Sequence, residues 1–357
     1  MWLADLEDGV VPKAAKPTAV ELEGSVSTVT FSPSGESLAV SVAPTPSIDD
    51  HYMKRKVHIL DATSGAVTGK LDTEGKIGRA RYSPAGDRIA MIASADLNDP
   101  STGRLMVGSG EGGALEPVLP LDAEEHVTDF DWLDDDTLVF LSDRGVQTVV
   151  GTVGADGSNP TVLAGPAGPV FWRLSVSRAT KRAALVGDTP AFPAEVYAAD
   201  LESPGAAKRV TTHNTWLNDI QLGRQEAVTY TARDGLELGG VLVHPAVKPP
   251  EPGRAPLVLV VHGGPESHVK NGWVTSYSRP GQTGAAKGWA VFYPNYRGST
   301  GRGVAFSKMG QSDYAGAEFD DLVDAITHFD AQGLIDTKKV GITGGSYGGF
   351  ASAWGAT

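Results

Sequence analysis

The first two-thirds of the chain is a succession of short apolar runs broken by small polar turns. Phe31-Ser-Pro-Ser-Gly-Glu-Ser-Leu-Ala-Val40 predicts a strand, a turn and a second strand. The pattern returns as Tyr82-Ser-Pro-Ala-Gly-Asp-Arg-Ile-Ala-Met91, in shorter form as Trp132-Leu-Asp-Asp-Asp-Thr-Leu-Val-Phe140, and in degenerate form over residues 176–185. A second strand-and-turn pattern follows each copy: Val57-His-Ile-Leu-Asp-Ala-Thr-Ser-Gly65, then residues 105–113, 149–157 and 196–205. Trp2-Leu-Ala-Asp-Leu-Glu-Asp-Gly9 is a further copy of it, so the chain opens in the middle of a unit. Four short strands per unit, at a period of roughly 44 to 56 residues, predict the blades of a β-propeller, each burying its two faces against its neighbours. Residues 1–222 are expected to form a partial propeller of about four and a half blades.

After a linker at residues 213–225 the pattern changes. Residues 227–233 and 237–244 alternate and meet at Asp234-Gly235, which predicts a hairpin. A proline-rich connection, residues 245–256, leads to Leu257-Val-Leu-Val-Val261. Such a continuous apolar run is expected of a strand covered on both faces. Residues 288–295 predict another buried strand. Phe319, Leu322, Val323, Ile326 and Phe329 fall on one helical face, and Gly333 ends that helix. Residues 340–343 predict a last buried strand, and residues 351–354 open a helix. Strands alternating with a helix predict a mostly parallel sheet wrapped by helices, here over residues 223–357.

That last strand runs into Gly344-Gly345-Ser346-Tyr347-Gly348, a G-x-S-x-G turn between strand and helix. The context makes it a nucleophile elbow, which lifts the Ser346 hydroxyl above the sheet edge beside the positive end of the next helix. A serine hydroxyl needs a base to take its proton, and the tetrahedral intermediate needs N–H donors aimed at its oxyanion. The Tyr347 backbone N–H, just after the nucleophile, is one candidate donor. Upstream, Leu257-Val-Leu-Val-Val261 ends in His262-Gly-Gly-Pro265, where glycine lets the backbone approach a substrate.

His262-Gly-Gly-Pro265, Asn295-Tyr-Arg-Gly-Ser-Thr-Gly301 and Gly344-Gly-Ser-Tyr-Gly-Gly349, in that order behind a propeller, resemble the prolyl oligopeptidase family of serine peptidases. The similarity is nearest to its acylaminoacyl-peptidase-like branch and spans essentially the whole chain. The three hydrolase motifs together carry it; the propeller repeats alone do not. The resemblance implies an incomplete α/β-hydrolase domain over residues 223–357, ending just after the nucleophile. It implies hydrolysis of short peptides or acyl-peptides through an acyl-enzyme on Ser346, with the propeller limiting access. It assigns the second oxyanion donor to the Gly264 N–H and makes His262 structural.

In this fold the catalytic triad runs serine, acid, histidine along the chain. All eight histidines precede Ser346, and His268 and His328, with no motif around them, are expected at the surface. The triad acid and histidine are therefore expected outside the sequence, which reads as a fragment cut at both ends and inactive alone. A carboxylesterase on the same scaffold and a non-catalytic propeller binding module stay open as alternatives.

Composition narrows the rest. A net charge of −13 argues against nucleic acid and anionic membranes as partners, and the chain has no cysteine for disulfides, thiolate metal sites or a thiol nucleophile. No cofactor or metal is expected. The N-terminus lacks a basic region and an apolar core, so no signal peptide is read there and the default compartment is the cytoplasm, with an upstream signal left open. Gly108-Ser-Gly110-Glu-Gly-Gly113 matches G-x-G-x-x-G but opens no helix and reads as a turn. Asp129, Asp131 and Asp134 to Asp136 lack calcium-loop spacing and read as a solvated turn. Glu124-Glu125 could anchor a substrate amino terminus, as an acidic pair does in dipeptidyl peptidases, but the surrounding residues do not match.

Overall fold

The computed structural model describes residues 1–4, 8, 10–13, 16–203, 205–248 and 253–357. The first sequence pattern folds as hairpins across its polar turns. Ser25–Phe31 pairs antiparallel with Ser37–Ala43, and Ile77–Tyr82 with Arg88–Ala93. Val170–Ser177 pairs in the same way with Arg182–Thr189. Each turn needs a residue with positive φ. Gly35 and Gly86 supply it in the first two copies, and Lys181, at φ 50°, supplies it in the degenerate one. The second pattern contributes a third and fourth strand to each hairpin. The result is four four-stranded sheets whose strand order follows the chain. The third comprises His126–Trp132, Thr137–Arg144, Gln147–Gly154 and Thr161–Ala164. Ahead of them Trp2–Leu3 pairs with Thr18–Ala19. The rest of the Trp2 to Gly9 copy, residues 5–7 and 9, lies outside the described residues.

The chain divides into two compact units. One comprises Met1–Leu121, Phe130–Val139 and Thr152–Pro160. Its core joins apolar faces of the first two sheets, with Val57, Ile59, Ile77, Ile89 and Met91 at 2% exposure or less. Gly108 to Gly113 forms the turn between Arg104–Ser109 and Leu115–Pro117, as read. Asp129 and Asp131 lie buried in the His126–Trp132 strand rather than in a solvated turn, and Asp131 pairs with Arg81; in the turn that follows, Asp136 pairs with Arg88.

The other unit comprises Asp122–Asp129, Phe140–Gly151 and Thr161–Thr357. It contains a five-stranded sheet in the order Gln225–Thr231, Glu237–Val243, Ala290–Asn295, Ala255–Val261, Ile335–Gly344. The sheet is mixed rather than mostly parallel. The hairpin at Asp234-Gly235 is too short for a parallel crossover, so its two strands pair antiparallel; the second pairing is also antiparallel and the last two are parallel. Both faces are covered. Leu257, Leu259, Val261 and Phe292 enter one cluster with Leu322, Ala325 and Phe329 of the Ala317–Ala331 helix. Val260, Val291, Tyr293 and Ala285 enter another on the opposite face. Each such fully buried aliphatic or phenyl side chain contributes about 1.5–3 kcal/mol.

Two expectations fail here. Val323 is 50% exposed; the buried face of its helix runs through Glu318, Asp321, Leu322, Ala325 and Phe329. The strand leading to the elbow is also not a buried one. Ile335–Gly344 lies at the end of the sheet order, paired on one side only among the described residues, and only Ile335 in it is buried.

Candidate active site

The elbow is built by close packing of strand, turn and helix. Ile335–Gly344 runs parallel to Ala255–Val261, with Gly344 opposite Val261. The chain then reverses at Ser346 into the Tyr347–Trp354 helix. A Cβ on Gly344 would lie 2.3 Å from the Val261 carbonyl oxygen and 2.7 Å from the Gly348 Cα. Glycine at both ends of the motif therefore lets the helix start directly over the end of the Ala255–Val261 strand. Ser346 carries the strain of the reversal, at φ 55° and ψ −121°, a conformation that non-glycine residues rarely adopt. Its side chain is exposed, and among the described residues no hydrogen bond engages its hydroxyl. Gly348, Gly349 and Phe350 N–H groups bond back to the Gly345 and Ser346 carbonyls. The Tyr347 N–H, first in the helix, belongs to the group with no acceptor inside the helix.

The His262-Gly-Gly-Pro265 loop leaves the end of the Ala255–Val261 strand and lies against this turn. A Cβ at Gly263 would sit 3.1 Å from the Ser346 Cβ, 3.7 Å from its Oγ and 2.9 Å from the Gly345 carbonyl oxygen. Only glycine fits there without moving the serine. Gly264 follows at φ 125° and is exposed, with the space where a side chain would be occupied by the Glu266 and Ser267 backbone. Of the two loop glycines, Gly263 is the one seen in contact with Ser346.

His262 is 7% exposed and faces into the loop. Its Nδ1 is 3.0 Å from the Gly263 carbonyl oxygen, and its Nε2 is 2.9 Å from the Ser299 hydroxyl. Its ring stacks on Tyr296 at 4.3 Å. Burial pulls its pKa down to about 4, so the ring is neutral at pH 7. Both nitrogens are occupied, one by its own loop and one by the Asn295 to Gly301 stretch.

The Asn295-Tyr-Arg-Gly-Ser-Thr stretch is the scaffold under that loop. The Asn295 amide accepts from the Val269 N–H and donates to the Val269 carbonyl. The Tyr296 hydroxyl donates to the His262 carbonyl at 3.0 Å. Arg297 forks onto Asp321, with Nε and Nη2 at 3.0 and 2.7 Å from Oδ1. Burial raises the Asp321 carboxyl above its ordinary value, opposed in part by the Arg297 fork. Thr300 Oγ1 meets His268 Nδ1 at 2.8 Å.

His268 is therefore not a surface residue. Its side chain is 6% exposed, with Nε2 3.3 Å from Asp143 Oδ2. Burial first, then the Lys270 charge, depresses its pKa to about 3. His328 is half-buried against Tyr230 and Phe329. Glu125, half of the acidic pair, is paired with Arg144.

Two residues of this region had no motif in the sequence: Glu318 and Asp321, both buried. The available signal was acidic residues on the core-facing stripe of an amphipathic helix, where a charge is expensive unless partnered.

The model of the prolyl oligopeptidase family matches residues 275–357, and that of the lipoprotein LpqB beta-propeller domain matches residues 49–190. An uncharacterized peptidase, YuxL, of Bacillus subtilis is 36% identical over 167 residues, covering 46% of this chain and 24% of its own length. Dipeptidyl aminopeptidase BIII of Pseudoxanthomonas mexicana is 44% identical over 102 residues, 29% of this chain and 14% of that protein. Acylaminoacyl peptidase of Pyrococcus horikoshii superposes with a TM-score of 0.73 at 21% identity, over 92% of this chain and 49% of that one. A puromycin-hydrolyzing peptidase of Mycobacterium tuberculosis gives 0.73 at 20%, over 97% and 53%. The chain thus spans about half the length of these solved structures and a quarter or less of those two curated relatives. At such identity the structures establish the fold, a propeller with an α/β-hydrolase. The elbow lies within residues 275–357, the segment that matches the prolyl oligopeptidase family.

Proposed function

We propose that this chain forms part of a serine peptidase that hydrolyses short peptides or acyl-peptides through an acyl-enzyme on Ser346. One observation carries the reading: an exposed serine at a strained strand-to-helix turn, with the Gly263 backbone packed against it. In the proposed reaction the Ser346 oxygen attacks the scissile carbonyl, and the oxyanion is received by backbone N–H groups. Tyr347 supplies one and the glycine loop the other, assigned to Gly264. The substrate amine leaves with a proton, and water then releases the acyl group. The relatives named as peptidases and dipeptidyl aminopeptidase favour a peptide over a simple ester.

The general base is the missing part. His262 and His268 are both buried and engaged, and among the described residues no histidine bonds to Ser346. We propose that the triad acid and histidine lie outside this sequence and that the 357-residue chain alone has negligible turnover. In the same reading the four sheets and the leading ribbon are about four and a half blades of a propeller, and residues 223–357 the first part of a hydrolase domain.

A fluorophosphonate probe tests the nucleophile. In a full-length form that carries the triad base, labelling at Ser346, lost in Ser346→Ala, is expected; labelling elsewhere or not at all in that form removes the peptidase reading. Steady-state cleavage of an acyl-peptide by the chain alone, abolished by Ser346→Ala, would refute the missing-base claim.

A further inference from the structure

Glu318 is 4% exposed in the first turn of the Ala317–Ala331 helix, on its core face. A carboxylate there is costly unless its oxygens are engaged. Oε1 accepts the Tyr347 hydroxyl at 2.5 Å and the Ala315 N–H at 2.5 Å, and Oε2 accepts the Gly316 N–H at 3.1 Å. The segment it gathers is bent: Ser312 and Ala315 are both non-glycine residues at φ near 60°. Capping its own helix would not require burial, since an exposed acid serves that purpose. The buried position is accounted for by the phenol of Tyr347, which follows the nucleophile directly. The Tyr347 ring is held on other sides by Tyr296, Tyr314 and Phe350, at centroid distances of 6.3, 5.9 and 5.4 Å. Tyr296 in turn holds the His262 carbonyl.

We propose that Glu318 is a positioning residue for acyl transfer: through the Tyr347 phenol it fixes the strained turn that carries Ser346 and the Tyr347 N–H. The proposal rests on the serine-peptidase reading above. Glu318 touches no reacting atom. It anchors the far end of the side chain whose backbone N–H faces the developing oxyanion.

The test is amide hydrogen exchange by NMR on the purified chain, in wild type, Glu318→Gln and Tyr347→Phe. Exchange at the Gly348, Gly349 and Phe350 amides is expected to accelerate about ten- to a hundredfold in both variants, the range of one charge-assisted hydrogen bond. Exchange at Leu259 and Phe292 in the sheet should not change. The Tyr347 ring-carbon resonance should lose its carboxylate-bonded position in Glu318→Gln. Unchanged exchange at the three elbow amides overturns the proposal, as does equal acceleration at Leu259, which would mean a general loss of stability. If Glu318→Gln fails to fold, Tyr347→Phe, which keeps the ring and removes only the hydroxyl, decides alone. Failure of Ser346 to react with a fluorophosphonate in a full-length form that carries the triad base would sink the peptidase reading separately, while the exchange rates still decide whether Glu318 holds the turn.

Discussion

Replacing Gly348 by alanine tests whether the G-x-S-x-G turn is set by contact between helix and strand. A Cβ there would lie 2.0 Å from the Val261 carbonyl oxygen and 3.0 Å from its carbon. Both are backbone atoms of a strand paired on both sides, so no rotamer change can relieve the clash. A relaxed contact between such atoms needs about 3.5 Å, so helix and strand must part by about 1.5 Å. Alanine gains at most about 1 kcal/mol from helix propensity. Overpacking against atoms that cannot turn away costs about 1–3 kcal/mol, occasionally more. With contacts this short the cost lies at the upper end, and about 3 kcal/mol less about 1 leaves an expected net loss of about 2 kcal/mol. Gly345→Ala is the control: one position before the nucleophile, its Cβ meets nothing within 4 Å. It should stay within about 0.5 kcal/mol of wild type. Urea denaturation followed by tryptophan fluorescence measures both. Gly348→Ala as stable as Gly345→Ala would refute the packing account of the elbow.

Further expectations follow from the buried polar groups. Asp321→Ala leaves Arg297, 12% exposed, without its fork partner and should cost about 3–5 kcal/mol by the same denaturation assay; a loss below about 1 kcal/mol would contradict the arrangement. His262 and His268 are held neutral, with pKa values of about 4 and about 3 against an ordinary 6.5. The unfolded chain therefore binds protons first, and stability present above pH 6.5 should fall as pH drops toward 4, by up to roughly 1.4 kcal/mol per pH unit per histidine. His268→Gln should flatten that fall; an unchanged slope would show that His268 does not contribute. Glu195 accepts from the Thr211 hydroxyl, the largest cause of its depressed pKa of about 2, and from the His213 and Asn214 N–H groups. Its stabilisation is present above its ordinary value of 4.5 and lost as pH falls through about 2. Glu195→Ala should open residues 211–214 to limited proteolysis at neutral pH, and resistance equal to wild type would argue against the anchor.

The sequence by itself determined the features written in local spacing. Hairpins around Gly35 and Gly86, the two-faced strand at Leu257 to Val261, the helix ended by Gly333, and the glycine-flanked turn at Ser346 each rest on neighbouring residues, and each was legible from them. The glycines were readable because a chain reversal against a strand leaves no space for a Cβ, whatever the rest of the fold does. Tertiary structure alone decided where the charges went. Asp321 and Glu318 are buried because Arg297 and Tyr347, 24 and 29 residues away, arrive to satisfy them. His268 is inside because Asp143, on a distant strand, and Thr300, in the loop after Asn295, meet it, and Val323 is outside because Glu318 and Asp321 take the core face. The same holds for Gly263, whose place against Ser346 depends on two parallel strands ending side by side. Burying a charge costs several kcal/mol unless a partner is present, and where that partner comes from distant chain, spacing along the sequence carries no trace of it.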